Sequence, residues 1–373
     1  MKGKRRLKKA INILIFAAMT LLFMTSIGGC ISMFDGKDEI SELSFSHDGK
    51  KVVFDRCKSN GCQIQVYDLE TGELAAYQSP KGERWTMGKY SYDGKKFAFS
   101  VIPIKPKGGL DLGAMQIAVM DEYGKNFKKV TTGPGAKLYP AFSHNGKKLL
   151  YARAGLIREK GRTPAANYDA WEVNLETGEQ TQLTFFEYYY LGYLTYFPDD
   201  ERFIYWGDMP SVYDGVRVMD DSNFRNKMIE LGKKGISISG IAVMKGKELT
   251  PCPYLSFPKD VFPKRPLLSK DGAVMIYEES GTGKYYLYSE DGKHRLVGGG
   301  GSIDSAAISP DGNLLAMISV GLRIKIYTIL DGKIQQNLYL PCAPKKIQNW
   351  NIRQEFKYLY KMIPEKPSRI INQ

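Results

Sequence analysis

Short apolar segments separated by tight turns follow one another along most of this chain. A four-residue turn of the Ser-x-Asp-Gly type occurs at 46–49, 91–94, 143–146, 197–200, 269–272 and 309–312, with Asn in the third copy and Phe-Pro-Asp-Asp in the fourth. Asp-Gly and Asn-Gly favour tight hairpins because Gly, and to a lesser degree Asn and Asp, tolerates a positive φ. The pattern therefore predicts a β-hairpin that is repeated six times.

Each turn lies between two apolar strands, and a third strand, a second turn and often a fourth strand follow it. The Asp or Asn positions are 45, 52, 54, 72 and 40 residues apart. Four antiparallel strands in a unit of about 40 to 50 residues are typical of a β-propeller. We therefore predict an all-β fold in which residues 41–342 form a β-propeller of six four-stranded antiparallel blades. Residues 343–373 form a basic segment that aligns with the repeat but lacks its Asp-Gly. If this segment is a degenerate blade that closes the ring, the propeller has seven blades.

The clearest copy of the repeat is Pro-Ala-Phe-Ser-His-Asn-Gly at 140–146, followed by an apolar strand at 149–151. This unit resembles the repeats of TolB-like propellers, a WD40-like family. The resemblance extends from residue 41 to about residue 340 and therefore includes nearly all of the chain after its first segment. It implies a propeller fold and leaves the function open.

The first 29 residues have the order of a signal peptide. Basic residues are concentrated within residues 1–10, residues 11–27 are mostly apolar, and two glycines precede Cys30. Residues 27–30, Ile-Gly-Gly-Cys, resemble the lipobox of bacterial lipoproteins, which implies a diacylglyceryl group on the Cys30 sulfur and cleavage before that residue. An uncleaved membrane anchor is the alternative, because 17 residues are near the lower limit for a spanning helix.

Residues 30–40 would then form the lipidated cysteine and a short tether. About ten extended residues span roughly 35 Å, so the propeller would stay close to the bilayer. The resemblance implies an exported, membrane-anchored lipoprotein that meets the membrane through its N-terminal lipid. Because Ile31 rather than aspartate follows Cys30, the periplasmic side of the outer membrane is favoured, with the cell surface as the other location.

The formal charge of +13 is concentrated at the two ends of the chain. Residues 1–29 carry +6 and residues 343–373 carry +5, so the segment between them is nearly neutral. A nucleic-acid-binding domain gathers its basic residues on one face or stripe. The sequence has no such stripe, and we expect no nucleic-acid partner.

Strand direction predicts where a partner would bind. In a four-stranded meander the turns after strands one and three lie on one face, here called the turn face. The loops after strand two lie with the links between blades on the other face, here called the loop face. These loops are long in units two, three and four, at 101–115, 154–169 and 207–239, and long loops on a rigid scaffold commonly bind partners. The basic and tyrosine residues of this region form the candidate binding surface: Lys105, Lys107, Arg158, Lys160, Arg162, Tyr188, Tyr189, Tyr190 and Tyr213.

The tyrosines at 188–190 allow two interpretations. Aromatic side chains beside basic ones suit a protein, a peptide or an anionic glycan. The same side chains would also suit packing beneath the long loops, since buried and interface aromatic residues use the same chemistry.

The cysteines predict structural disulfides rather than a reactive site. Cys57 and Cys62 bracket a short loop, which in an exported chain indicates a disulfide, with half of a zinc site as the alternative. Cys252 and Cys342 both follow blade-closing strands at the loop face, where they could form a second disulfide.

The three histidines do not form a catalytic or metal-binding pattern. His47 and His144 occupy the same slot of two repeated turns, and His294 lies in another turn. No histidine is therefore left for a Ser-His-Asp arrangement on the loop face, and no pair has metal-ligand spacing. We expect neither a metal ion nor a cofactor.

The sequence thus predicts a lipid-anchored cell-envelope propeller that binds a protein or a glycan as a scaffold, with no catalysis evident. The alternative is an envelope hydrolase or lyase that acts on glycan or peptide through acidic, tyrosine and arginine residues of the loop face. A purely structural envelope protein is a third class, and it predicts no saturable ligand.

Overall fold

Six four-stranded antiparallel sheets form the part of the chain that the structure describes. The structure is a computed structural model, and it describes residues 39–58, 61–156, 165–188, 190–208, 239–245, 248–250, 263–288, 294–300, 303–319 and 323–339. Consecutive strands pair within every sheet, so each sheet is a simple meander. The prediction of a propeller with six four-stranded blades is confirmed.

Each blade contributes four strands in chain order. Blades one to three consist of β1 (Glu39–Phe45), β2 (Lys51–Lys58), β3 (Gly61–Asp68), β4 (Leu74–Gln78), β5 (Glu83–Tyr90), β6 (Lys96–Pro103), β7 (Gln116–Asp121), β8 (Lys128–Lys129), β9 (Ala136–Phe142), β10 (Lys148–Leu156), β11 (Ala165–Asn174) and β12 (Gln180–Gln182). Blades four to six consist of β13 (Leu191–Tyr196), β14 (Arg202–Asp208), β15 (Ser239–Lys245), β16 (Glu248–Thr250), β17 (Pro263–Leu268), β18 (Met275–Glu279), β19 (Lys284–Leu287), β20 (Arg295–Gly299), β21 (Ile303–Ile308), β22 (Leu314–Ser319), β23 (Arg323–Thr328) and β24 (Ile334–Tyr339). One short 3-10 helix, Leu112–Ala114, lies in the long loop of blade two.

The first strands of the six blades surround the central axis. β1, β5, β9, β13, β17 and β21 contact one another in that order, and β21 contacts β1 again. The backbone N–H of Leu43 donates a hydrogen bond of 2.9 Å to Ser305 Oγ, which joins blade six to blade one. The described residues therefore already form a closed ring of six blades.

Six apolar clusters hold neighbouring blades together, one at each interface. The second strand of a blade is covered on both faces, and for this reason Val52, Val53 and Phe54 are all fully buried in spite of the alternating direction of their side chains. Between blades one and two, Val53 packs in one cluster with Trp85 and Phe97. Such burial contributes about 1.5–3 kcal/mol for each large apolar side chain.

The repeated turn is held by its serine and aspartate side chains. In blade six, Ser309 Oγ donates to Asp311 Oδ1 at 2.5 Å and accepts from the Leu314 N–H at 2.9 Å. Gly312 has φ +73°, which its missing Cβ permits. The corresponding serines Ser46, Ser91 and Ser269 make both of these contacts in their own blades.

Removing one of these hydroxyls is expected to destabilise the propeller measurably. Ser309→Ala should lower the free energy of unfolding by about 1–2 kcal/mol, because Ser309 is 1% exposed and its loss leaves the Leu314 N–H without a partner. Guanidinium unfolding of both proteins measures the change. Thr71→Ala, which deletes a hydroxyl from an exposed turn, is the control and should cost less than about 0.5 kcal/mol. Equal effects of the two substitutions would contradict this account of the repeated turn.

The fourth turn departs from the motif because it contacts the neighbouring blade. Asp200 stands where the other turns have Gly and has φ +55°. Its carboxylate accepts the backbone N–H groups of His144 and Asn145, at 2.5 and 3.0 Å. The aspartate thus replaces the usual glycine and joins blade four to blade three.

The segments before residue 39 and after residue 339 lie outside the described residues. The signal peptide, Cys30 and the degenerate blade at 343–373 therefore stay predictions. Within the ranges given above, no helix has the length and apolar content needed to cross a membrane.

Candidate functional site

In five blades the first strand contains a β-bulge that changes the direction of one side chain. Strand pairing shifts register at this point, and bulges commonly re-aim a side chain. The bulge residues all have positive φ, between 50° and 62°: Glu42, Met87, Tyr139, Tyr193 and Arg265.

The bulge position is four residues before the first residue of each repeated turn, and in blade six Ser305 occupies it. Positive φ is costly for residues other than Gly, on the order of 1 kcal/mol or more each. Here it recurs in five blades, so the strain belongs to the architecture, whereas the side chain is acidic, apolar, aromatic or basic depending on the blade.

All of these residues except Arg265 line a cavity of about 160 Å³ on the propeller axis, to which all six blades contribute residues. Its charged lining includes Glu42 from β1 and Lys89 from β5. Lys89 Nζ donates to the Leu43 carbonyl at 3.1 Å. The cavity also extends to the turn face, since His47 and Lys270 belong to its lining.

Glu42 and Lys89 are held in an environment that disfavours charge. Burial raises the pKa of Glu42, against the attraction of Lys89 and Arg265. Burial likewise lowers the pKa of Lys89, against the attraction of Glu42 and Asp55. The two side chains therefore attract each other electrostatically, although they form no ion pair. The cavity thus presents one acidic and one basic side chain, and burial disfavours the charged form of each.

Tyrosine rings close the cavity toward the loop face. Tyr139 and Tyr193 line it, with ring centroids 5.2 Å apart. The hydroxyl of Tyr139 lies 3.0 Å from that of Tyr190, and the Arg265 guanidinium lies over the Tyr193 ring, 5.5 Å from its centroid. Arg265 also donates to Glu278 at 3.1 Å. Contacts with Tyr190 and Arg265 therefore hold the two rings in place.

A second set of contacts crosses the axis at the turn face. Lys270 Nζ in blade five donates to the Tyr92 carbonyl in blade two at 3.0 Å, over 178 residues of sequence. His144 Nε2 lies 2.8 Å from the Lys270 carbonyl, and its ring stacks on Tyr92 with centroids 3.8 Å apart. Lys270 and Tyr92 thus span the opening of the cavity, which gives the turn face a feature that its uniform turns did not predict.

Asp55 lies fully buried between the first two blades and holds the bulge of β5. Its Oδ2 accepts the Thr86 hydroxyl at 2.5 Å and the Met87 N–H at 2.6 Å, whereas Oδ1 is buried without a hydrogen-bond partner. Burial raises the pKa of Asp55 to about 7, opposed by these hydrogen bonds.

The loop face carries the described part of the predicted binding surface. Lys105 and Lys107 are exposed in the loop after β6. Tyr188 is only 2% exposed, and its hydroxyl lies 2.7 Å from that of Tyr205, so its side chain is in the core. Tyr190 is half-buried, with its hydroxyl near Tyr139. The remaining residues of that surface lie outside the described residues: Arg158, Lys160, Arg162, Tyr189 and Tyr213.

Asp169 holds the link between blades three and four, just beneath the loop face. Its Oδ1 accepts the Thr184 hydroxyl at 2.8 Å and the Phe186 N–H at 2.9 Å. Burial raises its pKa to about 6, against these hydrogen bonds. This carboxylate thus fixes the path of the link that carries the aromatic residues.

The structure joins Cys57 to Cys62 by a disulfide between the paired ends of β2 and β3, with Cα atoms 4.0 Å apart. Cys252 and Cys342 lie outside the described residues. In the part of the chain that the structure describes, no three His, Cys, Asp or Glu residues are grouped so that they could hold a metal ion.

Sequence reasoning missed the residues around the central cavity. Glu42, Lys89 and Ser305 belong to three different blades and lie far apart in the sequence. One signal was present: aligning the repeats on their turns places Glu, Met, Tyr, Tyr, Arg and Ser in turn at the bulge position. In a structural repeat, a position that varies in this way and faces the axis is the natural place to look for a site.

Comparison with known proteins relates the chain to solved propeller structures. No protein-family model matches it, and no curated protein does. TolB from Acinetobacter baumannii is 19% identical, with a TM-score of 0.47 over 70% of this chain and 55% of that one. An oligogalacturonate lyase in complex with manganese is 15% identical, with a TM-score of 0.49 over 80% and 77% of the two chains. A chain of a nidogen/laminin complex is 9% identical, with a TM-score of 0.50 over 74% and 90%.

The match spans about half the length of the Acinetobacter TolB chain. At these identities the likeness concerns the fold alone. The propeller fold expected from the repeated turns is confirmed by the six four-stranded sheets of the chain itself, and the solved structures similar to the chain include TolB proteins.

Proposed function

We propose that this protein is a lipid-anchored binding module of the cell envelope and that its partner binds the loop face at blades two and three. The observation that carries this proposal is that exposed apolar side chains and lysines share one face. Among the described residues, nine large apolar side chains are exposed, and four of them lie on this face: Ile104, Leu110, Phe185 and Phe186.

The residues beneath this surface belong to one apolar cluster. Ile102 and Met115, at the two ends of the blade-two loop, belong to the same apolar cluster as Tyr188 in the link after blade three. The loop is further tied to blade three by a hydrogen bond of 2.8 Å from the Gly135 N–H to the Gly113 carbonyl. The two parts of the surface are therefore joined beneath, which favours a surface that presents its side chains in a fixed arrangement.

Charge favours an acidic partner. Lys105 and Lys107 are exposed in the same loop as Ile104 and Leu110. Apolar and aromatic residues with a basic rim suit a protein with an acidic patch or an anionic glycan. The signal peptide and lipobox of the sequence would hold this surface near the membrane in the envelope.

The test is a crosslinking pull-down from intact cells. The double variant Lys105→Glu with Lys107→Glu reverses two charges on the loop face and is expected to reduce recovery of the partner at least tenfold, which corresponds to about 1.4 kcal/mol. Lys95→Glu with Lys125→Glu makes the same charge change at exposed positions of the turn face in the same blade and should leave recovery unchanged.

An equal loss in both double variants would contradict the loop-face surface and indicate a general effect of charge. Recovery of no partner, together with cleavage of envelope glycan or peptide by the purified protein, would replace the binding module by an enzyme.

A further inference from the structure

The central cavity is lined by an acidic and a basic side chain, Glu42 and Lys89. The Glu42 carboxyl is affected by burial and by the attraction of Lys89 and Arg265, with no hydrogen bond among these influences. Lys89 donates one hydrogen bond, to the Leu43 carbonyl, and an ammonium group has three donors. Glu42 therefore offers two acceptor oxygens to the cavity, and Lys89 has donors that Leu43 does not use.

Such an arrangement is unfavourable in an empty core. Removing a charge from water costs several kcal/mol, and a close partner must repay it. Apolar side chains at positions 42 and 89 would occupy this region with a lower desolvation cost. Met87, the bulge residue of β5, is an apolar side chain that lines the same cavity. The presence of both an acidic and a basic side chain here is therefore better explained by a ligand that binds both of them than by stability.

The size and walls of the cavity limit that ligand. A volume of about 160 Å³ is close to the roughly 150 Å³ of a cavity that holds benzene, so about six non-hydrogen atoms fit. Tyr139 and Tyr193 lie near enough to Glu42 to feel its charge, and aromatic faces attract an ammonium group. The wall beside Glu42 thus suits a cation on its Tyr139 side, since the Arg265 guanidinium already lies over the Tyr193 ring, and the Lys89 side suits an anion.

We propose that the central cavity binds a small zwitterion of the α-amino-acid class, with its ammonium group on Glu42 and its carboxylate on Lys89. Alanine, with six non-hydrogen atoms, has the size and both charges. The ligand enters from the turn face, where Lys270 spans the opening through an exposed hydrogen bond to the Tyr92 carbonyl. The loop face takes no part, so this proposal and the proposed function can fail separately.

The test is isothermal titration calorimetry on the full chain, extracted in mild detergent, at pH 7. The probes are L-alanine and D-alanine, with ethylammonium and propionate as the two halves of a zwitterion. We expect saturable binding of at least one alanine enantiomer and at least tenfold weaker binding of either half alone. Glu42→Gln and Lys89→Met should each weaken alanine binding at least tenfold.

The control variants Glu176→Gln and Lys284→Met make the same charge changes at exposed positions outside the cavity lining and should bind alanine like the wild type. Melting temperatures establish that each variant is folded, and the half-ligand comparison requires no variant at all. Propionate binding as tightly as alanine would replace the proposal by an anion site, and equally tight ethylammonium by a cation site. No binding of either alanine at millimolar concentration overturns it.

Discussion

Asp55→Ala is expected to lower the free energy of unfolding by about 2–4 kcal/mol at pH 5 and by clearly less at pH 8. Two donors, the Thr86 hydroxyl and the Met87 N–H, lose their acceptor when the carboxylate is removed, and each orphaned donor costs about 1–3 kcal/mol. The affected backbone is the β5 bulge, where Met87 has φ +62°. The bulge thus loses its hydrogen bonds at a point of backbone strain.

The pH dependence follows from the raised pKa of Asp55, about 7 in the folded protein and 3.8 as its ordinary value. Between these two values the folded protein binds a proton that the unfolded chain has lost, so the contribution of Asp55 to stability falls as pH rises. The slope is at most about 1.4 kcal/mol per pH unit. The difference between wild type and variant should therefore shrink from pH 5 to pH 8.

Guanidinium unfolding at pH 5, 6, 7 and 8 measures this difference, in which most other titrating groups cancel. Asp55→Asn is the matched control, because it keeps the shape and one acceptor oxygen but cannot titrate in this range. It should be less destabilising than alanine at pH 5, and against alanine it should show a constant difference from pH 5 to pH 8. A wild-type advantage over alanine that stays the same at every pH would contradict an Asp55 that is protonated in the native state near neutrality.

The fold could be predicted from sequence because its signals are local. The turn at 309–312 contains within six residues the serine, aspartate and glycine that make its hydrogen bonds and its positive φ. Repetition of that turn then fixes the strand order, since each meander follows directly along the chain. The Cys57–Cys62 disulfide is similarly local, since its two cysteines are five positions apart in the sequence.

The cavity could not be predicted in the same way because its contacts are distant in sequence. Lys270 and Tyr92 are 178 residues apart, and Ser305 and Leu43 are 262 apart. Which side chains face the axis depends on the bulges, since one extra residue reverses the direction of every side chain after it. A simple alternating pattern through β1 does not reveal that Glu42 reaches the cavity.

Cys30→Ser is expected to remove lipid from the protein completely and to leave residues 1–29 attached. Only a thiol can carry the thioether-linked diacylglyceryl group, and in lipobox proteins cleavage follows that modification. Metabolic labelling with a radioactive fatty acid and the mass of the purified protein measure the two effects. The wild type should be labelled and begin at Cys30, and the variant should be unlabelled and keep its N-terminal segment.

Membrane fractionation alone would not distinguish the lipoprotein from the uncleaved anchor. The uncleaved variant keeps the apolar residues 11–27 and would still sediment with membranes, as would a wild type anchored by that segment. Cys57→Ser with Cys62→Ser is the matched control, since it removes two other cysteines and should leave labelling and the N-terminus unchanged. An unlabelled wild type that retains residues 1–29 would show that a helix rather than a lipid holds the protein. In that case the tether to the propeller would begin at residue 28 instead of Cys30, and the propeller could stand slightly farther from the bilayer.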